Sequence, residues 1–600
     1  MATTANYGWD IGFRGKNPWW DTWVEMWQNV DTKLFQKTGG YISASEYATL
    51  QLANTAAYNA GKTLLISSNW TLTANTTLTA AVKVIKGGTF TKASTYTLTI
   101  NGPFEAGNYQ VFFGFDPGDI IFGPGAIKEA FAEWGGTKPN DETIDCALGI
   151  NLMLNAGCGV QLMGGSLIGT RAIYYISTKI SLDNSKFLRG AGRGATIIKA
   201  NAVGITMVDS EDSNYTEMAH LTLDGDNKAS IGRNLEGTTG YAIFNQMNIV
   251  AINNCTDTQL YGKKVSSNTF SNILLSGGAH SLKLISGEQN KLDNLVLSDS
   301  TTSTFYIENI GNSAFKNFYI YSDVGMTGAP LLFHIVNSFH NHYDNWIIED
   351  VKNTGGTENG LIEYDSTKEG AGGAPSWIQP VENVFDKCNW NGLADVNHIR
   401  ITSNDSGNWM FAKTKFIDCE FINVTGKVDI NIVHAQDTYI QNSFRITTYW
   451  GAQTTIPTVT NASAYRVYYN YAEGTWTPRI AFGGGTTGIT YNGVTAGHYT
   501  RMGRMVFFSA WIVLTSKGSS VGAAIITGLP FTSYNSTALG SISLRMSGIT
   551  FADFPQAYIA GNNTIIYLSE STNAGVTTDL ADTNFVDTSS IMISGSYLAQ

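Results

Sequence analysis

Residues 270–297 read FSNILLSGGAHSLKLISGEQNKLDNLVL and contain two copies of a six-residue pattern with an asparagine between apolar residues. The close copies in the whole chain are Phe270-x-Asn272-x-x-Leu275, Leu292-x-Asn294-x-x-Leu297, Phe315-x-Asn317-x-x-Ile320 and Tyr343-x-Asn345-x-x-Ile348. Their asparagines follow one another at steps of 22, 23 and 28 residues. Repeats of this length with strands between them are typical of a solenoid, in which neighbouring units share one core.

The asparagine of each copy marks a predicted corner of a coil, because asparagine tolerates left-handed backbone geometry and its amide satisfies backbone groups. Looser copies are Met218-x-His220-x-x-Leu223, Phe385-x-Lys387-x-x-Trp390 and Phe416-x-Asp418-x-x-Phe421. A leucine-rich repeat needs a longer leucine pattern and a helical segment, which these units lack. We predict an all-β chain with a parallel β-helix over about residues 135–465, in which Asn272, Asn294 and Asn317 stack.

Composition excludes several classes of protein. Of the 600 residues, 14% are charged and 12% are aromatic, which does not fit a disordered chain. A net charge of −11 argues against a protein that binds the nucleic-acid backbone. The longest apolar run, Met505 to Leu514, is too short to cross a bilayer and predicts a buried strand. No signal peptide is visible, so we expect neither secretion nor membrane insertion.

The five cysteines, at 146, 158, 255, 388 and 419, form no CxxC pair. This predicts neither a disulfide framework nor a zinc cluster, and it favours folding in a reducing compartment. HExxH, P-loop and GxSxG motifs are also missing from the sequence. We therefore expect no metal and no cofactor.

Residues 1–40 differ from the rest of the chain. They hold five of its fourteen tryptophans, and Trp23, Met26, Trp27, Val30 and Leu34 follow helical spacing. The segment predicts a short amphipathic helix with a large aromatic face. One interpretation is that this helix packs on its own domain, and the other is that it docks on a partner.

Three further segments resemble the tailspike and tail-fibre proteins of bacteriophages. They are Asn101-Gly102-Pro103-Phe104 with Glu133-Trp134-Gly135-Gly136, the turn Leu188-Arg-Gly-Ala-Gly-Arg-Gly194, and Glu473-Gly-Thr-Trp-Thr-Pro478 with Gly497-His-Tyr-Thr-Arg-Met-Gly503. The resemblance implies a pectate-lyase-like right-handed β-helix, preceded by a short helix at Thr143 to Met153. It also implies a homotrimer and a C-terminal β-sandwich-like domain that holds the trimer together or faces the host.

The resemblance also implies how the chain is divided and where it works. We expect an attachment segment at 1–40, a β domain at 41–132, the β-helix at 133–470 and the C-terminal domain at 471–600. The expected location is the tail of the virion, after synthesis in the host cytoplasm. The expected partners are other phage tail or adaptor proteins, bound through residues 1–40, and a bacterial surface glycan. We expect no nucleic-acid partner.

Alternation along the strands predicts rows of outward side chains that stack from coil to coil. Aligning the second strand of each coil gives one row with Lys283, Tyr306, His334, Glu363, Arg400 and Asn431. The neighbouring row holds Glu308, Val336, Asp365 and Thr402. Such a mixture of aromatic and polar groups on a flat face suits a carbohydrate, and a solvated face without function is the alternative. The acidic pairs Asp224/Asp226 and Glu349/Asp350 fit turns and sheet edges better.

Two reactions fit these residues. Glycoside hydrolysis needs two carboxylates, and Glu308 and Asp365, two coils apart, are separated by about 9.6 Å at the backbone, a spacing suited to inversion. Glu363 lies about 6.6 Å from Asp365 along its strand. A lyase would instead use a base such as His334 beside a cation such as Arg400.

We therefore predict Glu308, Glu363 and Asp365 as catalytic residues, and Tyr306, His334 and Arg400 as substrate-binding residues. The predicted function is recognition of a bacterial surface polysaccharide during host attachment, with depolymerisation by hydrolysis or elimination as an open question. A non-enzymatic receptor-binding or structural fibre on the same scaffold is the alternative, because a fold does not dictate an activity.

Overall fold

A computed structural model describes most of the chain. The described ranges are 2–3, 10–11, 40–157, 159–165, 170–322, 331–350, 358–364, 383–392, 397–403, 414–422, 430–433, 438–441, 443–446, 459–460, 465–468, 471–535 and 540–600. They belong to two compact units, one with residues 1–437 and 443–464, the other with 438–442 and 465–600. The predicted tryptophan-rich helix lies outside the described residues.

Parallel coiling begins at residue 41, in the range predicted as an N-terminal β domain. A helix, Leu50–Asn59, follows Thr49, whose hydroxyl accepts a hydrogen bond from the Leu52 N–H at 3.2 Å. Three short parallel sheets contain the strands Tyr41–Ser43, Thr63–Ile66, Val82–Val84 and Phe104–Ala106; Asn69–Leu72, Thr89–Lys92 and Phe112–Phe113; and Thr76–Leu78, Leu98–Ile100 and Ile120–Phe122. Thr76, Leu98 and Ile120 pair directly, so one coil here takes 22 residues.

The second helix, Cys146–Ala156, covers the start of the long coils. It was predicted at Thr143 to Met153, and it begins three residues later because Asp145 is its N-cap. The Asp145 carboxylate accepts a hydrogen bond from the Ala147 N–H at 3.1 Å, whereas the Thr143 hydroxyl donates to Asp141 at 2.6 Å. Most of the helix is buried, as a segment that closes a core must be.

Two long parallel sheets form the body of the first unit. The first sheet contains Ala130–Phe131, Gly159–Gln161, Ala172–Ile176, Phe187–Arg189, Thr196–Ala200, Glu217–Asp224, Gln246–Asn253, Thr269–Ser276, Lys291–Ser298, Ala314–Ser322, His342–Asp344, Ile347–Asp350, Val384–Asp386, Asn389–Gly392, Lys415–Ile417, Glu420–Ile422 and Phe444–Ile446. The second sheet contains Ile180–Ser181, Thr206–Asp209, Ile231–Glu236, Ala242–Ile243, Thr258–Ser266, His280–Glu288, Ser303–Gly311, Leu331–Val336, Glu358–Tyr364, Asn397–Ser403, Ile430–Val433 and Val459–Thr460. The chain alternates between the two sheets, which confirms the predicted right-handed parallel β-helix.

The predicted asparagine stack is confirmed. Asn294 Nδ2 donates to Asn272 Oδ1 at 2.7 Å, and Asn272 Nδ2 donates to Asn248 Oδ1 at 2.9 Å. The next coil continues the ladder through Asn317, whose Nδ2 donates to Asp293 Oδ1 at 2.7 Å. Asn272, Asn294 and Asn317 have φ angles of 56°, 58° and 55°, so the corner is left-handed as the sequence predicted.

A second ladder, which the sequence analysis missed, runs inside the coils. The side-chain oxygen of Asn268 accepts from the Asn245 N–H at 2.8 Å, and that of Asn290 accepts from the Asn268 N–H at 3.2 Å. The side-chain oxygen of Asn341 accepts from the Ser313 N–H at 3.0 Å. All of these side chains are buried, and each satisfies backbone groups where a strand turns into the next one.

The second unit is antiparallel where the first is parallel. Its large sheet contains Tyr471–Trp476, Arg479–Phe482, Ile489–Tyr491, Ala496–Met502, Met505–Lys517, Ala524–Thr527, Gly540–Ile549, Phe554–Ile559, Ile565–Ser571, Thr577–Asp579 and Phe585–Leu598. The predicted strand at Met505 to Leu514 is present, but only one face is buried, through Val506, Phe508, Ala510 and Ile512. Strands Thr438–Gln441 and Tyr465–Tyr468 pair in parallel within this unit.

Two further findings concern the described ranges alone. They contain no helix that is long and apolar enough to cross a lipid bilayer. Their four cysteines, Cys146, Cys255, Cys388 and Cys419, are buried free thiols.

Candidate functional site

The outward face of the second sheet carries the predicted site residues in two rows. In the first row, Lys283 pairs with Tyr306 and Tyr306 with His334 across neighbouring strands. In the second row, Glu308 pairs with Val336 and Val336 with Glu363. The strands position these side chains because Phe305, Ile307, Phe333 and Ile335 between them are fully buried in the coil.

The predicted alignment is wrong by two residues at one strand, Glu358–Tyr364. His334 pairs with Leu361, so Leu361 and not Glu363 occupies the first row, and Glu363 joins the row of Glu308. The inward position opposite Phe333 is Gly360, where an added Cβ would lie 2.0 Å from Phe333 Cζ. The error arose because a glycine was not recognised as an inward residue.

Tyr306 and Glu308 form the more buried pair of the site. They are two residues apart on one strand, and the phenol hydroxyl donates a hydrogen bond to Glu308 Oε2. Tyr306 is 7% exposed and Glu308 is 5% exposed. A buried carboxyl group needs such a partner, because a buried polar group without a hydrogen bond is costly.

His334 and Glu363 form the more accessible pair, on adjacent strands. His334 Nε2 lies 2.7 Å from Glu363 Oε1, and the two side chains are 16% and 19% exposed. The His334 ring stands edge-on to the Tyr306 ring at a centroid distance of 5.1 Å. The two pairs therefore form one cluster, which we call the Tyr306–Glu363 cluster: Tyr306, Glu308, His334 and Glu363.

Two cationic or titratable groups border this cluster on the side of the earlier coils. Lys283 Nζ lies 5.5 Å from the centroid of the Tyr306 ring. His280 lies 5.6 Å from the same ring, and its Nδ1 is 2.7 Å from Ser303 Oγ. Burial lowers the pKa of His280 to about 4, so its imidazole is neutral near pH 7. His280 was not predicted, because it stands two positions before the inward Leu282 and alternation therefore assigns it to the inside of the coil.

The remaining predicted site residues are placed differently. Arg400 is half-buried and pairs with Leu361, so its backbone lies two strands, or about 9.6 Å, from His334. Asp365 lies outside the described residues. Glu308 and Glu363 are separated by one intervening strand in the same row, again about 9.6 Å at the backbone. This is the spacing that the sequence analysis assigned to Glu308 and Asp365.

The first sheet carries an aromatic and acidic cluster that the sequence analysis set aside. Glu349 was assigned to a turn or an edge, but it lies on strand Ile347–Asp350 and accepts a hydrogen bond from the Tyr319 hydroxyl. The rings of Tyr319 and Tyr321 stack at a centroid distance of 4.9 Å. Among the described residues, no group of three or more His, Cys, Asp or Glu side chains is arranged to hold a metal ion.

Comparison with known proteins gives structural likenesses only. No protein-family model matches the chain, and no curated protein matches it. Among solved structures, ORF18 of Geobacillus virus E2 is 12% identical, with a TM-score of 0.38, over 75% of this chain and 86% of that one. Full-length tailspike protein 2 of the Escherichia coli O157:H7 bacteriophage CAB120 is 12% identical, with a TM-score of 0.39, over 80% of this chain and 71% of that one.

A third structure is tailspike protein gp49 of the Acinetobacter baumannii bacteriophage Fri1, described as a capsular polysaccharide depolymerase. It is 10% identical, with a TM-score of 0.30, over 79% of this chain and 86% of that one. At such low identities and TM-scores these likenesses carry no functional argument.

Proposed function

We propose that this chain is a phage tailspike that binds a bacterial surface polysaccharide on the outward face of the second sheet. The observation that carries the proposal is the Tyr306–Glu363 cluster, which places two carboxylates, a phenol and an imidazole on one flat face. Lys283 beside the Tyr306 ring adds a cation to the same face. Hydroxyl-rich sugars need this combination of planar donors, acceptors and an aromatic edge.

The reaction that fits best is glycoside hydrolysis with inversion at the anomeric carbon. The backbones of Glu308 and Glu363 are about 9.6 Å apart. From there their side chains can hold the two carboxyl groups at the separation of about 6.5–9.5 Å that inverting enzymes use to leave room for water. In this proposal Glu308 is the general acid, and Glu363, which is more accessible and is oriented by His334, is the general base.

The test is digestion of purified capsule or lipopolysaccharide, with product length and anomeric configuration as readouts. We expect both Glu308→Gln and Glu363→Gln to abolish cleavage. Glu308→Gln should keep full binding, and Glu363→Gln should keep weakened binding. Glu236→Gln is the matched control, because Glu236 lies in the same outward row, three strands earlier. Full cleavage by both site variants would exclude this pair. An unsaturated product that absorbs ultraviolet light would instead support elimination by His334.

A second candidate function, non-enzymatic receptor binding, is favoured by one observation. Glu308 is 5% exposed and engaged by Tyr306, which suits a carboxylate that shapes a binding face rather than one that protonates a leaving group. In that case the parent protein would bind the polysaccharide without shortening it. Loss of binding in His334→Ala, with intact polysaccharide in every sample, would support this function.

The remaining parts of the proposal concern assembly. We propose that the chain forms a homotrimer and attaches to the virion tail through residues 1–40. We also propose a β domain at 41–132, the β-helix at 133–470 and a C-terminal domain at 471–600. Light scattering should give a mass close to three times 65.0 kDa, and a mass of one chain would contradict the trimer. Deletion of residues 1–40 should prevent incorporation into particles and leave polysaccharide binding unchanged.

A further inference from the structure

A groove of about 630 Å³ lies among residues 108–172, in the first coils of the β-helix. The lining includes the loop at Tyr109 and Gln110. Its buried side, which we call the floor, is Glu133 from the 3₁₀ turn Ala132–Gly135 together with Thr137. The lining also includes Thr170 and Arg171, which directly precede strand Ala172–Ile176. The groove is separate from the Tyr306–Glu363 cluster, with which it shares no residue.

Glu133 is held at the floor of this groove by hydrogen bonds on one side only. The Tyr174 hydroxyl donates to Glu133 Oε1 at 2.6 Å, and the same hydroxyl oxygen accepts from the Met163 N–H at 2.8 Å. Both Tyr174 and Glu133 are buried, with Glu133 only 5% exposed. The carboxyl group is therefore fixed in orientation.

The other carboxyl oxygen, Glu133 Oε2, is buried and has no hydrogen-bond partner among the described residues. Thr137 also lines the groove, and its Oγ1 is likewise buried without a hydrogen-bond partner among the described residues. Burial raises the pKa of Glu133, because the hydrogen bonds from the Tyr174 hydroxyl and from its own backbone offset the cost of burial only in part. Leaving such a group unsatisfied is costly, so a polar partner in the groove would be stabilising.

The rim of the groove differs from its floor in charge. Lys138 and Arg171 are both exposed and line the groove, which gives the rim a positive character. Gly136 keeps the space open, because it has a φ of 96° and a Cβ there would lie 2.5 Å from Gln110 Nε2. The groove thus combines a carboxyl group and a hydroxyl group on its buried side with two cations at its exposed edge.

We propose that this groove binds an acidic sugar unit, a ring that bears both hydroxyl groups and a carboxylate. A ring hydroxyl donates to Glu133 Oε2 and a second one pairs with Thr137 Oγ1. The sugar carboxylate lies between Lys138 and Arg171, where an anion is favoured. A neutral sugar would satisfy the floor alone, and a simple anion would satisfy the rim alone. This site goes beyond the proposed function, because it uses none of its residues.

The experiment is saturation-transfer NMR on the full chain, with glucuronate as the probe and glucose as its neutral counterpart. We expect glucuronate to bind with a millimolar dissociation constant and glucose to bind more weakly. The double variant Lys138→Ala/Arg171→Ala should weaken glucuronate binding by at least about tenfold, or 1.4 kcal/mol. Glu133→Gln should weaken both sugars, since it removes the acceptor at the floor.

Two control variants test whether glucuronate binding is confined to this groove. Lys291→Ala removes an exposed lysine from the first sheet and should leave glucuronate binding unchanged. Glu236→Gln, on the second sheet, should also leave it unchanged. Since the groove shares no residue with the Tyr306–Glu363 cluster, a failed hydrolase proposal does not affect this result. If glucuronate gives no saturation transfer, or binds equally to the rim double variant, the proposal is overturned. Because Lys138 and Arg171 are exposed, that variant decides the matter even if Glu133→Gln does not fold.

Discussion

Nε2 of His334 lies 2.7 Å from Oε1 of Glu363, although the two residues are 29 positions apart in the sequence. Their backbones are not direct partners, since His334 pairs with Leu361 and Glu363 with Val336. The contact is thus a diagonal one between neighbouring strands, a distance that long side chains can span. The two residues meet because one coil of the solenoid separates them in the sequence and places them on neighbouring strands.

This contact predicts that His334 and Glu363 act as a unit in polysaccharide binding. We expect His334→Ala and Glu363→Gln each to weaken binding, and the double variant to weaken it by less than the sum of the two. A coupling energy of about 0.5–1 kcal/mol is expected for a pair that remains partly exposed. Isothermal titration of the four proteins measures it. Strict additivity would show that the two side chains bind independently.

Most residues of the site could be predicted from the sequence, but the alignment of strand Glu358–Tyr364 with its neighbours could not. Tyr306, Glu308 and His334 were placed correctly because their neighbours Phe305, Ile307, Phe333 and Ile335 alternate clearly. Glu363 was placed in the wrong row because Gly360, an inward residue without a side chain, interrupts that alternation. Period-two patterns locate a face reliably only where the inward residues are apolar.

Stability at acidic pH should depend on His280, which borders the cluster. Burial lowers its pKa in the folded state to about 4, from about 6.5 in the unfolded chain. Between these values the unfolded chain binds the proton and the folded protein does not, so stability falls as the pH decreases from 6.5 towards 4. The loss amounts to as much as about 3 kcal/mol.

Denaturant midpoints measured at the two ends of this pH range test the prediction. The variant His280→Asn keeps a polar side chain that does not titrate, and it should lose less stability on acidification than the parent. The matched control is His498→Asn, which changes a histidine of the antiparallel sheet in the second unit. Equal losses in the parent and in His280→Asn would contradict the assignment.

The fold was predictable because its outer ladder is visible as a repeated asparagine, whereas the inner ladder was overlooked. Asn268, Asn290 and Asn341 each precede an apolar residue of the repeat by two positions, so the signal was in the sequence. It was missed because serine replaces asparagine at Ser313 and breaks the strict repeat. The Ser313 hydroxyl accepts from the Asn290 N–H, and the longer side chain of Asn341 accepts from the Ser313 N–H in the next coil.

The inner ladder predicts a large effect of one substitution. Asn290→Ala leaves the Asn268 N–H without its acceptor and the Val265 carbonyl without its donor. Since these groups are buried, we expect a loss of about 2–4 kcal/mol, more than for Asn294→Ala in the exposed outer ladder. Thermal unfolding of the two variants gives the comparison. Equal destabilisation would mean that burial does not set the cost.

The outer ladder contains one residue that does not suit its backbone. Ile249 occupies the corner position with a φ of 55°, one coil before Asn272, and β-branched residues avoid this region. We expect Ile249→Asn to stabilise the protein by about 1 kcal/mol. Ile249→Gly is the control that removes the strain without adding an amide. A fall in melting temperature for both variants would show that Ile249 contributes more by packing than it costs by strain.

Arg233 is a cation enclosed in the coil. It is 1% exposed, and its single hydrogen bond within the described residues runs from Nη2 to Thr216 Oγ1 at 3.1 Å. Nε and Nη1 have no partner among the described residues. Burial lowers the pKa of Arg233 to about 9, so the guanidinium is still charged near pH 7.

Replacing a poorly compensated buried charge with an apolar side chain of similar volume is often stabilising by about 1–4 kcal/mol. We therefore expect Arg233→Met to raise the melting temperature. Arg193→Met, at an exposed turn, is the control and should change little. Loss of the folded state in Arg233→Met alone would instead show that the charge is compensated within the coil.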